Sequence, residues 1–180
     1  TCPYVVVRDV VEKTDTTRLG DGRLPATAWG EKDGTVTNSE RRISRQRAFL
    51  DAPGEAKADW WIISEIARRM GFAEAFPYRS PAEIYREHAR LSGYRNDGGR
   101  LFSLAAHAEI EAAEFDGMAP FQWPLSDTEK RQGDKRLFSD GGFPTADGRA
   151  RLVPVTPPAK RAREPGLFRL NTGRVRDHWH

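Results

Sequence analysis

Trp29-Gly30-Glu31-Lys32-Asp33-Gly34-Thr35-Val36-Thr37-Asn38-Ser39-Glu40-Arg41-Arg42 carries more information than any other part of this chain. Small turn-formers, opposite charges side by side and two adjacent arginines crowd into one stretch, a combination that neither a helix nor a strand requires. The stretch predicts a loop that approaches a large anionic ligand. Its arginines can grip phosphate with two parallel N–H donors, which lysine cannot do.

Downstream, Arg41 to Phe49 reads as extended, with Arg41, Ile43, Arg45, Arg47 and Phe49 on one strand face. That face is either a solvated basic edge or an anion patch. Upstream, Tyr4 to Val7 is a short β-branched run that predicts a buried strand, with Arg8-Asp9 at its carboxyl end. Ligand contacts gather at strand carboxyl ends in open α/β sheets. Two readings of Asp9 stand: a ligand contact, or a loop carboxylate capping a turn. Leu24-Pro25-Ala26 reads as the end of a second short strand.

Two helices follow. Asp59 to Met70 places Ile62, Ile63, Ile66, Ala67 and Met70 on one apolar face, with Asp59 at the N-cap position and Gly71 just past the end. Ser80-Pro81-Ala82-Glu83 predicts a capping box with Pro at the first helical position. It opens a helix with Ile84, His88 and Leu91 on one stripe, ended by Gly93, and His88 reads as a core or boundary histidine. Residues 101–115 are weakly helical, and 116–148 form a long irregular segment. Residues 149–155 alternate basic and apolar, as an edge strand does. The Pro-rich stretch 156–166 has linker composition, and Leu167 to Leu170 begins a new strand. The expected domains are therefore 1–155, a linker at 156–166, and a new unit from 167 to 180.

The 180 residues suffice for one domain or one and a fraction. Mixed charges with a net of +3 suggest an ordinary solvated surface. The single cysteine, Cys2, is read as a buried structural thiol, and one cysteine cannot build a disulfide framework, zinc knuckle or iron–sulfur cluster. No run reaches the ~18 apolar residues of a membrane span, and Thr-Cys-Pro-Tyr does not read as a signal peptide. His178 and His180 have the spacing of a metal pair but lack a third ligand nearby, so no metal site is assigned.

The segment from Leu24 to Arg42 closely resembles the catalytic subunit of molybdenum nitrate reductases of the assimilatory branch, within the dimethyl sulfoxide reductase family. So do Pro53-Gly54-Glu55-Ala56, Asp59-Trp60-Trp61 and the terminal Leu170-Asn171-Thr172-Gly173-Arg174-Val175-Arg176-Asp177-His178-Trp179-His180. The resemblance implies a parent enzyme holding bis-molybdopterin guanine dinucleotide around molybdenum, with a 4Fe-4S cluster outside this chain. It implies cofactor-binding roles for Asp9 in guanine contacts, for Lys32 and for Asp59. It implies the same for Thr172, Gly173, Arg174, Val175, Arg176, Asp177, His178, Trp179 and His180, which would wrap the pterin and phosphate part. A small hydroxyl residue is usual in the family where Arg8 stands. An arginine there would clash with the nucleotide or add a phosphate contact. Arg18 to Arg23 replaces an apolar-leading strand, which puts the local sheet pairing in doubt.

The resulting expectation is α/β: a partial, open, mainly parallel sheet with flanking helices, a long irregular segment and the first strand of a following β-barrel domain. The chain reads as a fragment, inactive alone and without catalytic residues, of a cytoplasmic enzyme reducing nitrate to nitrite. Its partners would be the remaining domains of the parent and an electron-donor protein or domain, and unpaired sheet edges would favour self-association. A related formate dehydrogenase is the nearest alternative. A stand-alone nucleic-acid-binding module is a distant one, because the aromatics are not interleaved with the basic run.

Overall fold

The computed structural model describes residues 2–125, 136–159, 166 and 168. The chain divides into two compact units, Thr1–Arg149 and Ala150–His180.

In the first unit β1 (Val6–Asp9) and β2 (Gly22–Pro25) pair in parallel, with Arg8 opposite Leu24 and Asp9 opposite Pro25. The connection 10–21 is about as short as a parallel crossover permits. It is held by a 3-10 turn, Thr17–Leu19, whose Thr17 hydroxyl is buried against Glu12 and Thr14 carbonyls. A single parallel bridge, Ala26 to Lys57, carries the pairing to the start of α1 (Asp59–Arg69). The strand run read as buried is in fact largely exposed, as Val6 and Tyr4 are, because only β2 lies beside it among the described residues. Cys2 is likewise exposed rather than buried.

The stretch quoted first is not a plain loop. Trp29–Glu31 forms a 3-10 turn, Gly34–Thr37 forms β3, and a tight turn at 38–41 leads into β4 (Arg42–Gln46). Asn38 builds that turn: its Oδ1 accepts from the Glu40 and Arg42 backbone N–H groups, each at 3.0 Å. Arg41 takes a left-handed φ of 68°, a conformation a side chain adopts only at a cost of about 1 kcal/mol. Its guanidinium offsets that cost by donating to the Trp123 carbonyl and lying over the Trp123 ring.

β4 is central in a three-stranded antiparallel sheet, β3-β4-β5, with β5 at Phe121–Gln122. The larger sheet is thus antiparallel, and the parallel pairing among the described residues is confined to β1–β2 and the Ala26–Lys57 bridge. The fold is mixed α/β with small sheets and few helices. The segment expected to be irregular contributes β5 and two buried residues, Met118 and Leu125. A two-residue strand is too short to leave a period in the sequence.

The main core packs Ile43 of β4 against Ala82, Tyr85 and Ala89 of α2 (Pro81–Gly93), with Leu104, Ile110, Phe115 and Met118. Leu104 and Ala89 are completely inaccessible. The buried stripe of α2 is therefore Ala82, Tyr85, Ala89 and Ser92, not Ile84, His88 and Leu91. Small residues let the helix approach Leu104 and the 3-10 turn Ala105–His107 closely, so the larger Leu91 faces solvent and His88 lies exposed beside the Phe102 ring. The weakly helical run 101–115 resolves into that turn and a short α3 (Ala112–Asp116).

Helix ends differ in detail from the sequence reading. Glu83 accepts from the Arg79 N–H rather than closing a box on Ser80, whose side chain makes no cap bond. Gly71 does end α1, at φ 93°. Its N–H donates to Arg68 and that of Phe72 to Ala67, the paired bonds of a Schellman turn. Only Ile62 and Ala67 of the expected apolar face of α1 are buried, whereas Ile63, Ile66 and Met70 are 53%, 44% and 68% exposed.

In the second unit, residues 150–159 carry no helix or strand and are exposed. The expected edge strand at 149–155 does not form. Pro154, Pro157 and Pro158 supply no N–H, and no partner strand lies beside the segment among the described residues. The strand expected from Leu167 falls outside the described residues.

Candidate functional site

Parallel β1 and β2 end side by side, and the Ala26–Lys57 bridge brings the start of α1 to that same edge. The Ala26 N–H donates to the Asp9 carbonyl at 3.0 Å, Lys57 N–H to Pro25, and Thr27 N–H to Lys57. Three segments distant in sequence are thereby locked together at 8–9, 25–32 and 57–59.

Asp59 stands at the first position of α1, not at its cap. Ala58 is the N-cap, and no side chain caps the helix. The carboxylate still gains from the positive end of the helix, and it remains available to other partners. Arg8 Nη1 lies 2.6 Å from Asp59 Oδ1, and Lys32 Nζ donates to Asp59 Oδ2 at 3.2 Å. One carboxylate is therefore held through both oxygens by two cations, each group about one-third exposed. Pairs this open to water contribute little to stability. They set a local charge pattern more than they hold the fold.

Asp9 is on the next position of β1, so its side chain leaves the opposite face from Arg8. Its Oδ1 accepts from the Val11 N–H at 3.0 Å. The turn-capping reading of Asp9 is thus realised in this chain, with its other oxygen left to a further partner. The structure joins Lys32 to Asp59, and among the described residues Asp9 makes no contact with either. Thr172 to His180 lie outside the described residues.

The quoted stretch positions Lys32. Glu31 reaches back to the Ala28 N–H at 2.7 Å, and Gln46 donates to the Trp29 carbonyl at 2.6 Å. The Gly30 carbonyl accepts from both Phe49 and Leu50 N–H groups. A Cβ on Gly30 would stand 2.8 Å from Phe49 Cζ, so the exposed Phe49 ring would have to shift to admit one.

Thr27, between Pro25 and Lys32 on this edge, has a hydroxyl that is buried and has no hydrogen-bond partner among the described residues. A buried unsatisfied hydroxyl costs about 1–3 kcal/mol. Nothing in the sequence marks it, since threonine is ordinary in a turn. The Arg8–Asp59 pair also escaped sequence reasoning, which weighed Arg8 only against a nucleotide.

The arginine face of β4 is not an anion patch. The Arg45 side chain is 2% exposed. It donates to Asp33 Oδ1 at 3.0 Å and Asp116 Oδ1 at 2.8 Å, and to the carbonyls of Gly34, Gln46 and Phe115. Burial works against its charge, but the two carboxylates outweigh burial and raise its pKa further. Arg47 donates to the Asp116 carbonyl. These cations are occupied inside the chain, which removes the basis for a nucleic-acid-binding reading.

A second cluster centres on Tyr85, which shares a 2.7 Å hydrogen bond with His107 Nδ1, while His107 meets the Phe121 ring edge-on. Burial pushes the Tyr85 hydroxyl well above its ordinary pKa, so it stays protonated, and the His107 tautomer sets which of the two donates. This is a satisfied core pair. A cleft of about 830 Å³ beside it, lined by Met118, Phe121, Trp123 and Phe143 among others, includes none of Arg8, Lys32 and Asp59.

No helix among the described residues is long and apolar enough to cross a membrane. Residues 1–69 match the family model of the molybdopterin oxidoreductases. The chain is 48% identical to a nitrate reductase of Klebsiella oxytoca, over 99% of its own length and 20% of the relative's. It is 43% identical to a nitrate reductase of Shewanella frigidimarina, over 99% and 20%. It is 34% identical to the alpha subunit of an F420-dependent formate dehydrogenase of Methanocaldococcus jannaschii, over 98% and 24%. The chain thus spans about one fifth of the length of the nitrate reductases it matches.

Proposed function

We propose that this chain, which matches the molybdopterin oxidoreductase family model over residues 1–69 and nitrate reductases over nearly its whole length, is the dinucleotide-holding part of a longer molybdenum nitrate reductase. The observation that carries this reading is the joining of Lys32 and Asp59 at the carboxyl ends of a parallel strand pair, 27 residues apart in sequence. Identities of 48% and 43% to nitrate reductases, against 34% to the formate dehydrogenase subunit, favour nitrate over formate as the parent's substrate.

The donor set fits a guanine dinucleotide. Asp9 can accept from the N1–H and 2-amino edge of guanine, and Lys32, held by Asp59, can neutralise a diphosphate. The unpartnered Thr27 hydroxyl offers one more polar group on the same edge. When bound, the molybdenum–pterin group supplies the two-electron redox chemistry. This chain's residues bind and orient its nucleotide end. Residues 172–180 are the proposed second cofactor segment, opening a barrel domain after a linker at 156–166, with 1–155 as part of the dinucleotide-binding domain. In the full enzyme β1 and β2 would continue a larger parallel sheet. A 4Fe-4S cluster and an electron donor would lie elsewhere, and the cytoplasm is the proposed compartment.

GDP, standing in for the nucleotide end of the cofactor, tests this. Titration followed by tryptophan fluorescence and by NMR shifts should show saturable binding, weakened at least about tenfold in Asp9→Asn or Lys32→Ala. A chain that ignores millimolar GDP, or variants that bind it as the parent sequence does, would sink the assignment of these residues.

A further inference from the structure

We propose that Arg8 is a selectivity residue of this site: together with Lys32 it makes a diphosphate clamp around Asp59, so that the site draws its affinity from phosphate more than from the base. This rests on the nucleotide-site reading above and extends it to a residue that reading does not use.

The geometry of Asp59 carries the inference. Its two oxygens are approached by two different cations, Arg8 at 2.6 Å and Lys32 at 3.2 Å. Two cations facing two oxygens is the arrangement that the non-bridging oxygens of a phosphate also satisfy. The carboxylate thus holds Arg8 and Lys32 near one another in the free chain. Two positive charges against one negative leave the trio at +1, an excess that favours an arriving anion.

Arg8 also has capacity to spare. Guanidinium carries five N–H donors in a fixed fork, and Arg8 meets Asp59 through Nη1 alone, with no second ion pair among the described residues. Its side chain is 41% exposed, so the remaining donors are within reach of a ligand from solvent. Base reading is correspondingly weakened. An Asp59 oxygen facing a guanidinium is a poorer acceptor for a guanine edge than a free one, whereas Asp9, on the opposite face of β1, keeps one oxygen available. Charge is then the main currency of recognition, and such recognition weakens with salt.

Pyrophosphate, guanosine and GDP should be titrated into the whole chain and into Arg8→Ser, Arg8→Lys and Asp9→Asn, at low and moderate salt, with circular dichroism as a check on folding. The unaltered chain is expected to bind pyrophosphate and GDP within a few-fold of one another and guanosine far more weakly. Arg8→Ser is expected to weaken pyrophosphate and GDP by about tenfold with a shallower salt dependence, and to leave guanosine equal or tighter. Arg8→Lys should recover part of the loss, because a lysine restores the charge but not the fork.

Pyrophosphate binding unchanged or tightened in folded Arg8→Ser overturns the clamp. If GDP still binds there and Asp9→Asn still weakens it, the nucleotide-site reading survives alone. Pyrophosphate binding that needs Arg8, with GDP no tighter and Asp9→Asn without effect, leaves the clamp standing and removes the guanine reading. Absence of all binding removes both.

Discussion

Arg45 and Asp116, 71 positions apart, meet at 2.8 Å across the junction of β4 and α3, with the arginine almost wholly buried and the aspartate largely in solvent. The same guanidinium lies 4.1 Å from the Phe115 ring centre and reaches three backbone carbonyls. Removing it should therefore cost more than one ion pair. Asp33 and Asp116 can rehydrate, so the loss comes from the stranded carbonyls and the lost packing. Arg45→Met is expected to destabilise the chain by about 2–4 kcal/mol, and Arg45→Lys by somewhat less, in urea denaturation. A loss below about 0.5 kcal/mol would mean that this arginine is an ordinary surface group.

Gly93 shows competition between local preference and packing. Alanine is the better helix former by about 1 kcal/mol. A Cβ at this position, however, would stand 2.9 Å from Ala105 Cβ, an atom fixed to its own backbone. Overpacking of that kind costs about 1–3 kcal/mol, so Gly93→Ala should be destabilising despite the better propensity. A thermal melt that rises on substitution would show that the turn at Ala105–His107 yields easily.

Thr27→Val removes a buried hydroxyl without a partner and replaces it by a methyl of similar shape. A gain of about 1 kcal/mol in the free chain is expected by denaturant titration. If the hydroxyl serves the nucleotide, the same variant weakens GDP binding while stabilising the fold. A stability loss above about 1 kcal/mol would contradict the unpartnered state.

Tyr78 donates its hydroxyl to Glu87, which pushes its pKa up from 10.0 to about 12, with burial adding to the shift. The folded value is the raised one. The contribution to stability is therefore complete below pH 10 and lost as pH climbs through about 12. Alkaline titration of tyrosinate absorbance should show a late step that Glu87→Gln moves earlier. An unchanged step would assign it to another tyrosine.

Ile63, Ile66 and Met70 recur at helical spacing on the uncovered side of α1. An apolar stripe in solvent favours self-association, as do the open edges of the β1–β2 pair. Light scattering should find concentration-dependent association that Ile66→Glu reduces without shifting the melting midpoint. A monodisperse chain at high concentration would defeat this.

The extents of α1 and α2 were legible from the sequence, because Pro81 at the first helical position and the glycine after Met70 act within a few residues of the helix ends, although no side-chain cap bond forms at Ser80. The strand read at Tyr4 to Val7 overlaps β1 only at Val6 and Val7, and the end of β2 was legible at Leu24 and Pro25. Lys32 and Asp59 were visible only through resemblance, since nothing local links positions 27 residues apart. Which face of α2 is buried was decided by tertiary packing: Ala82, Ala89 and Ser92 are small enough to admit Leu104, whereas hydrophobicity pointed to Leu91. The fate of the arginines on β4 was likewise decided at a distance, by Asp33 and Asp116. A guanidinium reads identically in sequence whether it waits for a phosphate, as proposed for Arg8, or is already satisfied by carboxylates, as Arg45 is. The local chain sets which groups can bind anions, and only the assembled fold sets which of them remain available.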